Sequence, residues 1–467
     1  MTILKILNYI FWLNLILSLI VIISERRNPR STWMWIMVML FLPVFGFVIY
    51  LWLGRDFKKS KIFVTKADQD QIKLSHNIEE ISVANDNYAT IPLLVNNSNA
   101  RLYFNNEVIP LLTSKDYFKQ LFQDIDNAKE SIYIQTYIMK SDRMGKYFCE
   151  RLVNKKSEGL DVKLLVDGMG SRLLKNKEIK YLKDNGVSVE IFFPFFISFI
   201  SPRINYRNHR KMTIIDGRIG YIGGYNVGDE YFDGGKDFSS WRDSAVRIKG
   251  EVLKDFLKRF EVDFDFAANR NENYLPIKEM ENTNFLPMQF ASSGPDSMWP
   301  SIKFGYLKMI NSAKKYINIE TPYFIPDDSI LEALKVACLS GVDVRILIPF
   351  KADHPGVLPA SMSFLGELLK AGARVFKYKK GFQHSKLLSV DGKYVSMGTA
   401  NMDIRSFILN FESNVFIYSD KITRQFDEKF EYDIKNNSIE TTYFEYKNRS
   451  FFSKIKEGIF RLFAPIL

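Results

Sequence analysis

Histidine, cysteine and acid are what this chain is short of. Its 467 residues include four histidines and two cysteines. The cysteines, Cys149 and Cys338, fall in helix-like stretches, which excludes a disulfide scaffold and leaves a reducing compartment open. No cluster of His, Cys, Asp or Glu has metal-ligand spacing, so neither a metal nor another cofactor is expected. Acidic residues number 53 against 64 basic ones, a net charge of +11. That excess suits an anionic membrane or an anionic polymer, and composition alone does not separate the two. The length exceeds one ordinary core and favours two lobes plus extra segments.

Charge is also nearly absent from two runs near the amino end, residues 4–24 and 33–53, each of 21 residues. Each is long enough to cross a bilayer as a helix. The first is too long for the apolar part of a signal peptide, and no small-x-small cleavage site follows it. Pro43 and Gly46 in the second are tolerated in a membrane span, and Trp33, Trp35, Tyr50 and Trp52 lie near its ends, where interfacial aromatics belong. The pattern predicts a membrane domain over 1–58. Arg26, Arg27 and Arg30 lie between the spans. Lys5, Arg55, Lys58, Lys59, Lys61 and Lys66 lie on the other side, which favours both chain ends, and the lobes beyond, in the cytoplasm of a two-span cell-membrane protein. Residues 59–95 read as a polar linker.

The rest of the chain reads twice. His209-x-Lys211-x4-Asp216 is followed six residues later by Gly223-Gly224-x-Asn226. His384-x-Lys386-x4-Asp391 is followed six residues later by Gly398-Thr399-x-Asn401. Upstream, AKESIYIQTYI (128–138) matches AKKYINIETPYF (313–324), and GLDVKLLVDG (159–168) matches GVDVRILIPF (341–350). Short β-branched strands alternate with helices, which predicts an α/β sandwich in each of two homologous lobes, 96–285 and 286–445. The copies differ before the histidine. Gly186 to His209 is 23 residues and Gly372 to His384 is 12. The extra residues lie in FFPFFISFISPRINYR (192–207), either a buried piece of core or an apolar lip at the mouth of the site.

A duplicated His/Lys/Asn set suits phosphodiester chemistry. One imidazole attacks phosphorus and the other handles the proton of the leaving and incoming alcohols. Lys211, Lys386, Asn226 and Asn401 are placed to hold the non-bridging oxygens. A catalytic histidine needs a carboxylate behind it. Asp243, 34 residues after His209, and Glu412, 28 residues after His384, sit in strand-like runs and are assigned to their own half's histidine. Asp216 and Asp391 complete the motif and are grouped with the catalytic set, although each precedes a glycine and reads as a turn or a structural ion pair. His76 and His354 lie outside any motif, His354 in a loop that reaches toward the site.

These motifs resemble the phospholipase D superfamily, whose members pair two copies around one active site. The likeness extends over nearly the whole chain. Within it, the amino-terminal ERRNPRSTWMWIMVMLFLPVFGFVIYLWLG, ASSGP (291–295), TPYFIPD (321–327) and NFESNVFI (410–417) are similar to bacterial cardiolipin synthases of the phospholipase D type. The resemblance implies a transferase that joins two phosphatidylglycerol molecules into cardiolipin and glycerol through a phosphohistidine. It also implies His209, Lys211, Asn226, His384, Lys386 and Asn401 around the phosphate, and no metal. Many members carry Ser or Thr where this chain has Gly224. Thr399 keeps that hydroxyl in the second half, as a further phosphate contact. The expected partners are thus an anionic phospholipid and the membrane, with nucleic acid not expected; the oligomeric state is not legible. At the carboxyl end, residues 446–467 are predicted to form an amphipathic helix. Phe452, Ile455, Ile459, Leu462, Phe463 and Ile466 recur at helical spacing, with Lys454, Lys456 and Arg461 on other faces. Such a helix either packs on the second lobe or lies on the membrane.

Overall fold

The computed structural model describes residues 3–24, 29–42, 45–50, 90–194, 205–280 and 285–464. The duplication reappears as two mixed sheets of one design. In the first, the strand order is Asn106–Leu111, Ala245–Gly250, Ile219–Gly223, Met212–Ile215, Ser131–Thr136, Asp161–Asp167 and Ser188–Phe192. In the second it is Met288–Ser293, Asn410–Ile417, Tyr394–Gly398, Leu387–Val390, Tyr316–Glu320, Asp343–Pro349 and Arg374–Tyr378, with Ser438–Thr441 added at the edge. The last three shared strands of each sheet run parallel, and their runs (SIYIQT, DVKLLVD, DVRILIP) are apolar on both faces because helices cover them. Those helices start where the sequence supplies caps. Asp142 accepts from Gly145 N at 3.0 Å to begin Arg143–Ser157, and Asp327 accepts from Ile330 N at 3.1 Å to begin Asp328–Leu339.

The lobes share a core. Tyr133, Leu165, Met212 and Val246 of the first sheet pack in one cluster with Leu387, Met397, Phe411 and Val415 of the second, together with Phe256 and Phe260 of helix Leu253–Ala268 and Phe426 of helix Asp420–Asn437. Two buried arginines tie the same seam. Arg210 donates to Asp263 at 2.6 Å and to the Glu412 and Ser293 carbonyls at 3.2 and 3.3 Å. Arg242 reaches across to Asp433 at 2.7 Å and to both oxygens of Glu320 at 3.1 Å.

Several expectations are corrected. The linker ends earlier than residue 95, because Thr90–Ser98 is a helix whose Ile91 and Leu94 are buried in the second lobe's core, so the chain touches the second lobe before entering the first. Residues 59–89, including His76, lie outside the described residues. At the amino end, Ile3–Ser24 is a helix of 22 residues. In the second run the described helices are Pro29–Phe41 and Phe45–Ile49; Pro43 lies outside the described residues. Side chains of the first helix are described at Lys5, from Asn8 to Ser18 and at Ile20. Over the residues so described, no helix is long and apolar enough to cross a membrane.

The carboxyl-terminal helix, Phe451–Leu462, has two working faces. Phe460 packs against Gly356 and the second core, Arg461 donates to the Ser363 carbonyl at 3.1 Å, and buried Glu457 pairs with Arg449 at 2.8 Å. On the other side Phe451, Phe452 and Leu462 are 71, 81 and 80 % exposed. Arg461, placed by periodicity on a free polar face, is thus part of the packed one, and the apolar stripe faces outward. Of the insert at 192–207, Phe192 and Phe193 pack on Phe411 and Phe266 in the shared core; residues 195–204 lie outside the described residues.

Candidate active site

Each histidine is delivered by a short strand that crosses to the other lobe. Arg207–Asn208 pairs in parallel with Asn410–Phe411, and His209 N donates to the Phe411 carbonyl at 3.0 Å. Phe382–Gln383 pairs in parallel with Trp241–Arg242, and His384 N donates to the Arg242 carbonyl at 2.7 Å. The residue two before each histidine therefore lies beside the residue two before the other lobe's carboxylate. The side chains follow. His209 Nδ1 is 3.0 Å from both carboxylate oxygens of Glu412, and His384 Nδ1 is 2.6 Å from Asp243 Oδ2. The pairing assigned within each half is corrected to pairing between halves. Matching repeat positions identified the right carboxylates, but the exchange depends on how the lobes dock.

With Nδ1 engaged, each ring turns Nε2 to the pocket. Burial pushes the His209 imidazole down to about 4 and the His384 imidazole down to about 3, so both are neutral at neutral pH. Burial alone would raise the two acids, yet His384 and Lys386 hold Asp243 below the usual carboxylate range, and His209 does the same to Glu412. Burial also lowers the lysines, Lys211 to about 7 and Lys386 to about 8. Each ammonium donates to the carbonyl of its own histidine, Lys211 at 2.7 Å.

Asn226 and Asn401 both line the cavity with the two histidines. Asn226 Oδ1 accepts from Ile138 N at 3.1 Å; Asn401 Nδ2 donates to Asp403 Oδ2 at 3.1 Å, while its buried Oδ1 has no hydrogen-bond partner among the described residues. Three placements differ from expectation. Asp216 accepts from the backbone N–H groups of Lys129, Glu130 and Ser131 at 2.7–2.9 Å, and Asp391 from those of Lys314, Lys315 and Tyr316 at 2.8–2.9 Å. Both sit at φ 54° beside glycines of positive φ, in the hairpin turns that begin the next strand. They stitch strand ends together, away from the catalytic pocket, and their partners are backbone amides, not a cation. Thr399 turns away from the phosphate position. Its hydroxyl donates to Glu412 Oε2 at 2.5 Å, fixing the carboxylate that holds His209. At Gly224 a side chain would fall 2.1 Å from Asp243 Oδ1, so in that half the shorter acid and the bare backbone fill the space together.

The cavity is about 730 Å³ and draws on both lobes. It contains residues that motif matching did not find. Tyr137 lies edge-on to His209 at 4.8 Å, with Lys211 Nζ 5.2 Å from its ring. Trp241, Phe382 and Tyr231 surround His384 at 4.9, 5.8 and 6.5 Å. Arg207, Arg405, Glu230, Asp403 and His354 line the walls. Among the described residues, no group of three His, Cys, Asp or Glu is placed to hold a metal ion.

The family profile described as "Cardiolipin synthase, PLD-like domain" matches residues 121–265 and 306–434, which contain both motifs and both carboxylates. The chain is 42 % identical to the major cardiolipin synthase of Bacillus subtilis (strain 168), over 99 % of this chain and 98 % of that one. The chain belongs to the phospholipase D-like cardiolipin synthase family. A synthase of the same family from Oceanobacillus iheyensis is 43 % identical over 99 % of this chain and 98 % of its own. A profile described as "Phospholipase_D-nuclease N-terminal" matches residues 13–55. Among solved structures, phosphatidylserine synthase of Haemophilus influenzae Rd KW20 has the same fold, with a TM-score of 0.62 at 16 % identity, over 81 % of this chain and all of that one. The fold is therefore wider than the cardiolipin synthase family, and the sequence relatives carry the narrower assignment.

Proposed function

We propose that the chain is a membrane phosphatidyltransferase that condenses two phosphatidylglycerol molecules into cardiolipin and glycerol. The observation that carries the reading is the pair of buried histidine–carboxylate couples, each built from both lobes, facing one cavity in a chain whose full-length relatives are cardiolipin synthases. The site residues suit a two-step exchange. A neutral Nε2 attacks phosphorus, the bond to the glycerol oxygen breaks, and the other imidazole supplies that oxygen's proton. An anionic diester between the rings favours the protonation this requires. The hydroxyl of the second lipid then returns a proton to that imidazole and attacks phosphorus, and the P–N bond breaks. Lys211, Lys386, Asn226 and Asn401 hold the non-bridging oxygens as charge grows on them. Trp241, Phe382 and Tyr231 limit water around His384.

Two features support a membrane setting with the runs 4–24 and 33–53 as spans. Tyr9, Phe11, Trp12, Ile16, Met34, Met37 and Phe41 face outward, while Asn14 and Ser18 are buried. Asn14 Nδ2 donates to the Met39 carbonyl at 2.5 Å and Ser18 to the Asn14 carbonyl at 2.8 Å, the inside-out packing of helices in lipid. The exposed stripe of Phe451–Leu462 is the second feature, since Phe460 of that helix packs on Gly356, next to the cavity wall at Val357.

The deciding experiment supplies labelled phosphatidylglycerol to membranes containing the protein, or its His209→Ala or His384→Ala variant, and follows cardiolipin and free glycerol. The expected result is both products rising together, and only with both histidines present. Phosphatidic acid in place of cardiolipin would make the chain a hydrolase.

A further inference from the structure

The duplication acts as a ruler across the pocket. Two residues before the histidines stand Arg207 in one half and Phe382 in the other. Four residues after the motif asparagines stand Glu230 and Arg405. Two residues before the carboxylates stand Trp241 and Asn410. The sheets, the crossing strands and the histidine–carboxylate pairs are the same in both halves, so the fold does not demand these differences. Their effect is to make the His384 side aromatic, with Phe382, Trp241 and Tyr231, and the His209 side cationic, with Arg207 and Arg405 beside Asn410.

We propose that Arg207 and Arg405 form a second anion site in this pocket, next to the reacting phosphate, and that it takes the phosphate of the acceptor phosphatidylglycerol. The inference rests on the function proposed above and adds the reason why a lipid, rather than water or free glycerol, is the acceptor. Both arginines line the cavity and hold the same stretch of backbone. Arg405 Nη2 donates to the Asn205 carbonyl at 3.2 Å, two residues before Arg207, and Arg207 Nη1 donates to the Tyr206 carbonyl at 2.8 Å. Burial lowers the Arg207 pKa, Asp167 and Tyr137 act to raise it, and Arg405 acts with burial to lower it, so the two cations repel. Asp167 acts on Arg207, and both acids nearby also hold backbone or amide donors. Asp167 accepts from the backbone of Met169, Gly170 and Asn208 at 2.8–3.0 Å, and Asp403 accepts from Ser406 N at 2.6 Å and Asn401 Nδ2 at 3.1 Å. Two forked cations in the wall of one cavity suit a phosphate. Condensation is the reaction that needs one. The acceptor brings its own phosphate, separated from its attacking hydroxyl by the three carbons of glycerol, and two anions in one cavity repel unless the second has a counter-charge. Exchange with free glycerol involves the donor phosphate alone.

The test uses the full chain in vesicles of labelled phosphatidylglycerol, with free glycerol carrying a second label. Cardiolipin reports condensation, and the second label in phosphatidylglycerol reports exchange. Arg207→Gln and Arg405→Gln are expected to lower the cardiolipin-to-exchange ratio by about ten- to hundredfold, and Arg405→Lys is expected to recover part of it. An unmoved ratio, or a fall in both products together, would overturn the proposal. The conservative Arg405→Lys keeps the test open if a Gln variant does not fold, since a ratio equal to the parent's in that variant, with phosphatidylglycerol varied as acceptor and no rise in its KM, also argues against the site. A parent chain that makes neither product would instead sink the phosphatidyltransferase reading, which separates the two failures.

Discussion

A single carboxylate illustrates how much the site depends on contact between the lobes. Glu412 accepts from the histidine of the first half, from Thr399 and from Asn410. If that geometry governs catalysis, His209→Gln and Glu412→Gln share one interaction. Each lowers cardiolipin formation by about 10²–10⁴-fold, and the double variant is little worse than either single one. Combining Glu412→Gln with Asp243→Asn should instead compound the losses, because those acids serve different rings. Kinetics of the three single and two double variants check this; losses that multiply for His209 with Glu412 would refute the cross-lobe pairing. The lysines lead to a second expectation. In the empty pocket Lys211 is down at about 7 and Lys386 at about 8, mainly through burial. A bound phosphodiester favours their charged forms and raises both values. Binding should then take up protons between about pH 7 and 9, and the uptake should fade below about pH 6, where both are already charged. Calorimetry with short-chain phosphatidylglycerol in buffers of different ionisation enthalpy measures it; proton release in that window would show the sign to be wrong.

Among the elements, periodicity served the carboxyl-terminal helix well. The spacing of Phe452, Ile455, Ile459 and Leu462 marked an apolar stripe, but not which way it faces. The packing face is set by Phe460 and Arg461, which meet Gly356 and helix Val357–Ala371, and by Glu457, which pairs with Arg449. Because Phe452 and Leu462 are exposed, changing both to Ser should leave thermal stability within about 0.5 kcal/mol per site. Binding to anionic vesicles and activity on them should fall. A lost unfolding midpoint with unchanged vesicle binding would assign the stripe to packing. The motif aspartates teach the opposite lesson. Asp-Gly was readable as a turn at both places, and the turn chemistry described them better than their membership in the motif did.

The whole molecule is held by charge as well as by apolar contact across the seam. Arg242 belongs to the first lobe and sits fully buried between Glu320 and Asp433 of the second. Arg242→Ala leaves two buried acids short of their main partner, with Lys429 and Asn437 remaining on Asp433. The expected cost is about 3–5 kcal/mol, read from denaturant unfolding. Since His384 N donates to the Arg242 carbonyl, activity should fall even where the fold survives. A variant as stable and active as the parent would show the seam to be held by apolar packing alone.

Sequence by itself determined the duplication, the α/β class, the two histidines, the two lysines, the two asparagines and both carboxylates. Each is a local signal, a residue type at a repeated spacing, and repetition makes such signals visible. Tertiary structure decided which carboxylate serves which histidine, that Thr399 holds an acid and not a phosphate, and that the helix Thr90–Ser98 belongs to the second lobe. Those facts arise where two copies meet, and neither copy encodes the docking alone. Arg207, Arg405, Trp241 and Phe382 were missed for a related reason. A search for what the halves share passes over the positions where they differ, and only the tertiary structure brings Arg207, Arg405 and Trp241 to one cavity with Phe382 behind His384.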